Sequence, residues 1–398
     1  EHCEIVPAAV VEVSHSSDAH AIAVDGCSRH YRDFRSPIAI VRRRNRNPPP
    51  NHAEEKHCEK DRVPRTRQPE SPNRKRREGY RQRVSTMDAR LAGRPRIYLT
   101  TPRPRGAPML RRLGPHCYEI AMGGAADTEG QELARAVIGQ ARAIYCHSIY
   151  PLQAGFLRRM VAKRACPLLL DLHGIVPEEA KVQGAPEVER LESLEEWAML
   201  AADILVHVTR QMQQHFARKY AWAGGKHIVC PIFSSARAEA TRPRRNRIVY
   251  AGGAQQWQLV DRMVALAAAG LRTYDFAFLS PEANVFEARL AQKGVAPDGD
   301  RLIVRAARPA EVMDMYIQSR FGLLCRDDSL VNRVACPTKL IEYLTSGLVP
   351  LLSNPQIGDF PELGMRHWPV QAILDGAPPP DHELDRIIAH NQAATTAL

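Results

Sequence analysis

From residue 96 onward the chain repeats one pattern: a short apolar run without alternation, a polar loop, then apolar positions at helical spacing. Unalternated apolar runs predict strands buried on both faces, and the periodic stretches between them predict crossover helices on a parallel sheet. Strands are expected at residues 96–101, 143–147, 168–172 and 202–208, then at 247–251, 275–279, 302–304, 321–325 and 348–352. Helices are expected between them, as over 130–141, where Leu133, Val137 and Ile138 share a face, and over 311–318. The polar, Pro-broken stretch 234–246 interrupts the pattern and predicts a linker. The chain therefore reads as an α/β protein of two units with parallel sheets, 95–233 and 247–380, followed by a short amphipathic helix and tail over 381–398.

The densest chemistry lies in residues 321–359, which read as strand, polar loop, helix and strand. Pro337 suits the first turn of a helix and Gly347 its end. In an open parallel sheet, ligands collect beyond the carboxyl ends of the strands, beside helix N-termini. That position holds Arg326, Asn332, Lys339 and Glu342. Lys339 in the first turn would act on an anion together with the exposed backbone N–H groups. Glu342, three positions on, shares its face and can accept from two neighbouring hydroxyls, as a ribose presents. The plainer reading of the pair is a surface ion pair. Upstream, Gly252 and Gly253 end a strand before a helix, a design that lets backbone N–H groups approach a phosphate, though a tight turn uses the same residues. In the first unit, D-L-H-G at the end of a strand offers Asp171 and His173 for hydroxyl recognition, though a lone loop histidine is more often a structural or solvent residue.

The segment C-P-T-K-L-I-E-Y-L-T-S-G-L-V-P followed by I-G-D resembles the donor-binding segment of the large retaining glycosyltransferase family 4, closest to bacterial members that build capsular and surface polysaccharides. The resemblance implies the GT-B fold, two Rossmann-like domains facing each other across a cleft. It makes Glu342 the second motif glutamate that holds the nucleotide ribose. The first motif glutamate is replaced by Val334, so that Asn332, Asp327 or Asp328 contacts the donor sugar instead. D-L-H-G-x-x-P-E-E is similar to the acceptor-side segment of these enzymes. That implies His173 near the reacting centre, Asp171 orienting it, and Glu178 in the acceptor pocket. Glu195 and Glu196 resemble a further family feature, and a solvated helix face explains them equally well. Arg305 and Arg308 fall where the family places its base-recognising loop, which puts Arg308 among the donor-binding residues. Together the motifs imply transfer of a sugar from a nucleotide-diphosphate sugar to a saccharide or lipid-linked saccharide, with Lys339, Arg326 and His173 as the catalytic set. No cofactor or metal is expected; Asp298 and Asp300 precede a strand rather than follow one.

Composition changes this picture in one place. The chain has 398 residues, a net charge of +11 and nine cysteines without C-x-x-C spacing, which predicts neither a disulfide framework nor a zinc site. More than half of the positive excess falls before Met87, in Arg/Pro-rich text with little apolar periodicity beyond residues 5–13. Residues 1–94 are therefore expected to lie outside the fold, as a disordered basic arm or as translated upstream sequence, with composition favouring the second. No apolar run spans a membrane and no secretory signal is visible, so a cytoplasmic protein is expected, touching the inner membrane face only peripherally. Two other readings carry distinct signatures. A GT-B sugar-nucleotide epimerase would isomerise donor without acceptor, and a basic binding protein would show salt-dependent DNA binding. Nucleic acid is not the expected partner.

Overall fold

The computed structural model describes residues 10–15 and, from residue 93, most of the chain to residue 396; residues 102–108, 115, 124–125 and 233–243 are among those outside it. Two sheets form the frame. The first holds β1 (Val10–His15), β2 (Arg96–Thr101), β3 (Leu110–Gly114), β4 (Cys117–Ala121), β5 (Ala143–His147), β6 (Leu168–Leu172), β7 (Ile204–His207) and β8 (Lys226–Val229) in the order β3-β4-β2-β1-β5-β6-β7-β8. All its pairings are parallel except β3 on β4. The second holds β9 (Arg245–Ala251), β10 (Asp275–Leu279), β11 (Leu302–Arg305), β12 (Ser319–Leu324), β13 (Val349–Leu352) and β14 (Trp368–Pro369), all parallel, in the order β11-β10-β9-β12-β13-β14.

The apolar runs become central strands because both faces are covered. Leu168, Leu170 and Leu172 are buried in β6, and all four residues of β13 are buried. Two features depart from the sequence reading. Val10–His15, inside the segment expected to lie outside the fold, pairs with both β2 and β5 at the middle of the first sheet. Its apolar residues Val10, Val11 and Val13 belong to the one periodic stretch of that segment, 5–13, which the Arg/Pro-rich text around it outweighs in composition. The β3–β4 hairpin is also absent from that reading, since an edge strand carrying Arg111 and Arg112 has no buried run to reveal it.

The expected linker lies mostly outside the described residues, and its last two positions, Arg245 and Asn246, already belong to β9. The C-terminal stretch forms the Asp381–Thr396 helix, with Leu384 and Ile387 in the core of the second sheet. It is thus part of the second domain rather than a tail. Core residues of the two domains join in one continuous cluster, from Val208 and Met212 on one side to Val334, Ile341 and Phe360 on the other. Among the described residues, no helix is long and apolar enough to cross a membrane.

Candidate functional site

The helix Thr338–Thr345 is seated by a glycine. A Cβ on Gly322 in β12 would collide with the Tyr343 ring, so only a bare backbone lets this helix lie so close to the sheet. The Tyr343 hydroxyl donates to the Leu323 carbonyl at 3.0 Å, which fixes the helix rotation. The helix begins after Pro337 and ends at Gly347, whose φ of +68° suits glycine. Its last carbonyls are covered by Arg244, which donates to Ser346 at 2.8 Å and Gly347 at 2.7 Å.

This rotation sends Lys339 toward the end of β9. Its Nζ stands 5.2 Å from the Tyr250 ring centroid, and a Cβ on Gly252 would meet that Nζ at 2.6 Å. Gly252 has φ +152°, a conformation L side chains rarely adopt. Its N–H donates to the Leu279 carbonyl, and the Ala254 N–H donates to Glu282. The turn therefore serves Lys339 by leaving room, and at Gly252 it does not offer an amide to an anion. Glu342 accepts from the Tyr316 hydroxyl at 3.1 Å, one turn along the same helix.

Arg326 follows β12 and is 7% exposed. Its guanidinium donates to the Asn332 side-chain oxygen at 2.8 Å, while its backbone exchanges two hydrogen bonds with the Ser353 hydroxyl. Its Nε is buried without a hydrogen-bond partner. Burial pulls its pKa down to about 10, against the pull of Tyr250, Glu179 and Asp327, and it stays charged at neutral pH. Asn332 is fully buried, holding Arg326 and Asp327 rather than facing outward. Asp328 is exposed and paired with Arg333 at 2.6 Å. Val334, at the position of the family's first glutamate, is buried. Arg308 starts the Pro309–Ile317 helix beyond β11, its side chain 84% exposed and paired with Glu311. The structure therefore brings Lys339, Glu342, Arg326 and Gly252 to one edge of the second sheet, and leaves the Arg308 side chain in solvent.

On the first domain, the carboxyl ends of β5 and β6 converge on one buried carboxylate. Asp171 Oδ2 accepts the Tyr145 hydroxyl at 2.5 Å, lies 2.9 Å from His173 Nε2 and 3.8 Å from His147 Nδ1. Beside His147, Ser148 has φ +62°, a strained backbone of the kind that gathers at functional sites. His147, Asp171 and His173 offer ligand atoms within 4.8 Å of one another and are the described residues that could hold a metal ion. With Tyr145 and His173 both on Oδ2, the arrangement is that of a hydrogen-bonded network orienting the His173 ring.

The two glutamates of P-E-E diverge. Glu178 turns to the Arg210–Lys219 helix, 2.8 Å from Lys219 and 3.4 Å from His215. Burial would raise its pKa, but hydrogen bonds from His215 and Lys219 hold it at about 2. Glu179 folds over Gly174, where a Cβ would collide with its Oε1, and its charge reaches Arg326 on the facing domain. Glu179 is thus the carboxylate on the cleft side. Glu195, expected on a solvated helix face as readily as in a site, is fully buried and accepts from Lys219 and Tyr220. Of these groups Tyr145, His147 and Glu179 are not singled out by the sequence. The one available signal is the pair His147-Ser148 at the carboxyl end of an apolar strand.

No protein-family model matches the chain, and no curated protein does. Among solved structures the chain is similar to a sucrose-phosphate synthase from Thermosynechococcus elongatus, at 16% identity over 80% of this chain and 89% of that one, with a TM-score of 0.56. It is similar to an alpha,alpha-trehalose-phosphate synthase (UDP-forming) from Burkholderia vietnamiensis, at 16% identity over 79% and 92%, with a TM-score of 0.54. It is also similar to an alpha-glucosyltransferase in complex with UDP and a 13-mer DNA, at 8% identity over 79% and 90%, with a TM-score of 0.54. The likeness at these identities is one of fold: the chain has the two-domain, parallel-sheet GT-B architecture of these glycosyltransferases.

Proposed function

We propose that the protein transfers a sugar from a nucleotide-diphosphate sugar to an acceptor hydroxyl with retention of configuration, in the building of a surface polysaccharide or glycoconjugate. One observation carries the reading. Lys339 and buried Arg326 stand with Glu342 at the edge of one sheet, and the Asp171–His173 network stands at the edge of the other. Two cations and a carboxylate suit a diphosphate and a ribose, and an oriented imidazole suits a hydroxyl. The similar structures include a UDP-forming synthase and a transferase bound to UDP, which supports a nucleoside-diphosphate donor.

In the reaction the bond from the anomeric carbon to the diphosphate oxygen breaks, a bond to the acceptor oxygen forms, and the acceptor's hydroxyl proton passes to the departing diphosphate. Negative charge grows on the departing diphosphate while the sugar becomes oxocarbenium-like. Lys339 and Arg326 meet that charge as fixed cations, so stabilisation comes from preorganised electrostatics. Glu342 holds the ribose. His173, its Nε2 turned to Asp171, orients the acceptor hydroxyl. The acceptor is a saccharide, free or lipid-linked.

The test is a panel of nucleotide sugars scored by protection against heating, followed by labelled transfer and the anomeric configuration of the product by NMR. A ligand present at about 100 times its Kd stabilises by about 2.7 kcal/mol, which shifts melting by several degrees. A panel in which no nucleotide sugar shifts the transition would refute the donor assignment.

Gly252→Ala probes the space left for Lys339. The substitution adds about 1–3 kcal/mol of backbone strain at φ +152° and displaces the ammonium. The variant is expected to melt lower and to bind the best donor of the panel about tenfold more weakly. A variant that melts lower yet keeps donor affinity would show that Lys339 does not need this place.

A further inference from the structure

We infer that Asp359 is a positioning residue that ties the setting of Arg326 to the docking of the two domains. The loop after β13 touches the Arg326 segment at both ends. Near its start, the Ser353 hydroxyl accepts from the Arg326 N–H at 2.8 Å and donates to its carbonyl at 2.7 Å, and Asn354 donates to the Asp327 carbonyl at 2.9 Å. Near its end, the Gly358 N–H donates to the carbonyl of Asn332, the residue whose side chain holds the Arg326 guanidinium. The backbones are so close there that a Cβ on Gly358, at φ +48°, would collide with the Ala335 carbonyl.

The next residue leaves the domain. The Asp359 carboxylate accepts the first two N–H groups of the Arg210–Lys219 helix of the other domain, from Arg210 at 2.6 Å and Gln211 at 3.0 Å. A carboxylate suits that terminus by charge as well as by hydrogen bonding. The neighbouring contacts point the same way. Thr209, the N-cap of that helix, accepts from its own Met212 N–H and donates to the Val334 carbonyl at 2.7 Å, and Gln211 donates to Glu362. One loop thus holds the cation of the donor edge by its near part and the opposite domain by its last residue. Undocking the helix releases Asp359, Gly358 and then Asn332.

The assignment of Arg326 to a diphosphate rests on the proposed function, and the test separates the two. Hydrogen exchange is followed in the protein without ligand, for wild type, Asp359→Ala and Asp359→Asn. Loss of the carboxylate is expected to speed exchange roughly tenfold at Arg210 and Gln211 and also across residues 326–335, with the rest of the first domain unchanged. The Asp359→Asn variant keeps one acceptor oxygen and is expected to give a smaller change in the same two places, which guards against an alanine variant that does not fold. Faster exchange confined to the Arg210–Lys219 helix would overturn the inference, leaving Asp359 as a cap only. With UDP as probe, Asp359→Ala is expected to raise Kd roughly tenfold in the wild-type background and not in Arg326→Lys, since coupled residues are not additive. Equal effects in both backgrounds would equally overturn it. If UDP does not bind the wild type, the donor reading fails and the exchange pattern still decides the role of Asp359.

Discussion

Lys339→Ala is expected to lower the rate of sugar transfer by about 10²-fold or more, the usual scale for losing a group aimed at developing charge. The argument is geometric. The Tyr343 ring against Gly322 sets the helix, the helix sets Lys339, and Gly252 clears its path to the Tyr250 face. The cation–π contact with Tyr250 is worth about 0.5–1 kcal/mol, so its loss leaves the fold standing. The penalty should therefore appear in kcat, with melting nearly unchanged. Lys339→Arg should recover little, because a guanidinium is planar and wider where the ammonium fits against Gly252. Steady-state kinetics with the best donor, together with a melting curve, checks this. Full activity in the alanine variant would remove Lys339 from the reaction.

Much of this site is legible because its parts lie close together in the chain. Arg326, Lys339 and Glu342 sit within one strand–loop–helix unit, and such a unit places them by topology alone. What stays hidden depends on contacts between distant segments. Nothing around Glu179 distinguishes it from Glu178. Which of two adjacent carboxylates faces the cleft is decided by the phase of a short helix and by Lys219, 41 residues beyond Glu178. Asp359 is visible only as part of a motif. Its partners, Arg210 and Gln211, lie in the other domain, and no local pattern pairs them. Arg308 stands at the start of the helix after β11, the place its topology predicts, and there its side chain is exposed and paired with Glu311. Strand β1 is hidden for a third reason, as one short apolar run in a long polar context contributes little to a composition average.

Lys219→Met is expected to destabilise the protein by about 2–3 kcal/mol at neutral pH, and the loss should shrink on acidification. Lys219 reaches Glu195 at 2.6 Å and Glu178 at 2.8 Å, and Glu195 is fully buried. Removing one partner of a buried pair leaves an uncompensated charge; because the Lys219 side chain is still 25% exposed, the expected loss lies below that of a fully enclosed pair. Burial already pushes the Glu195 carboxyl up, against the pull of Lys219, and the variant pushes it further. A carboxyl whose folded pKa lies above its unfolded value is favoured in the fold only when protonated. The deficit from Glu195 therefore opens as pH rises through the unfolded value of about 4.3 and is complete above the folded one. Glu178 runs the other way. Held at about 2 by His215 and Lys219, it contributes stability above about 4.3 that is lost as pH falls toward 2, and the variant forfeits part of it. Both trends make wild type and variant converge in acid. Urea unfolding at pH 7 and pH 3, on either side of the unfolded value of both carboxyls, measures the gap, and a gap of equal size at both would mean that charge in this cluster is not its cause. Adding Glu195→Leu to Lys219→Met should restore most of the loss, since an apolar pair of similar volume can replace a buried ion pair nearly neutrally. Because Glu178 anchors the short helix that presents Glu179 to the cleft, the double variant should regain stability ahead of activity.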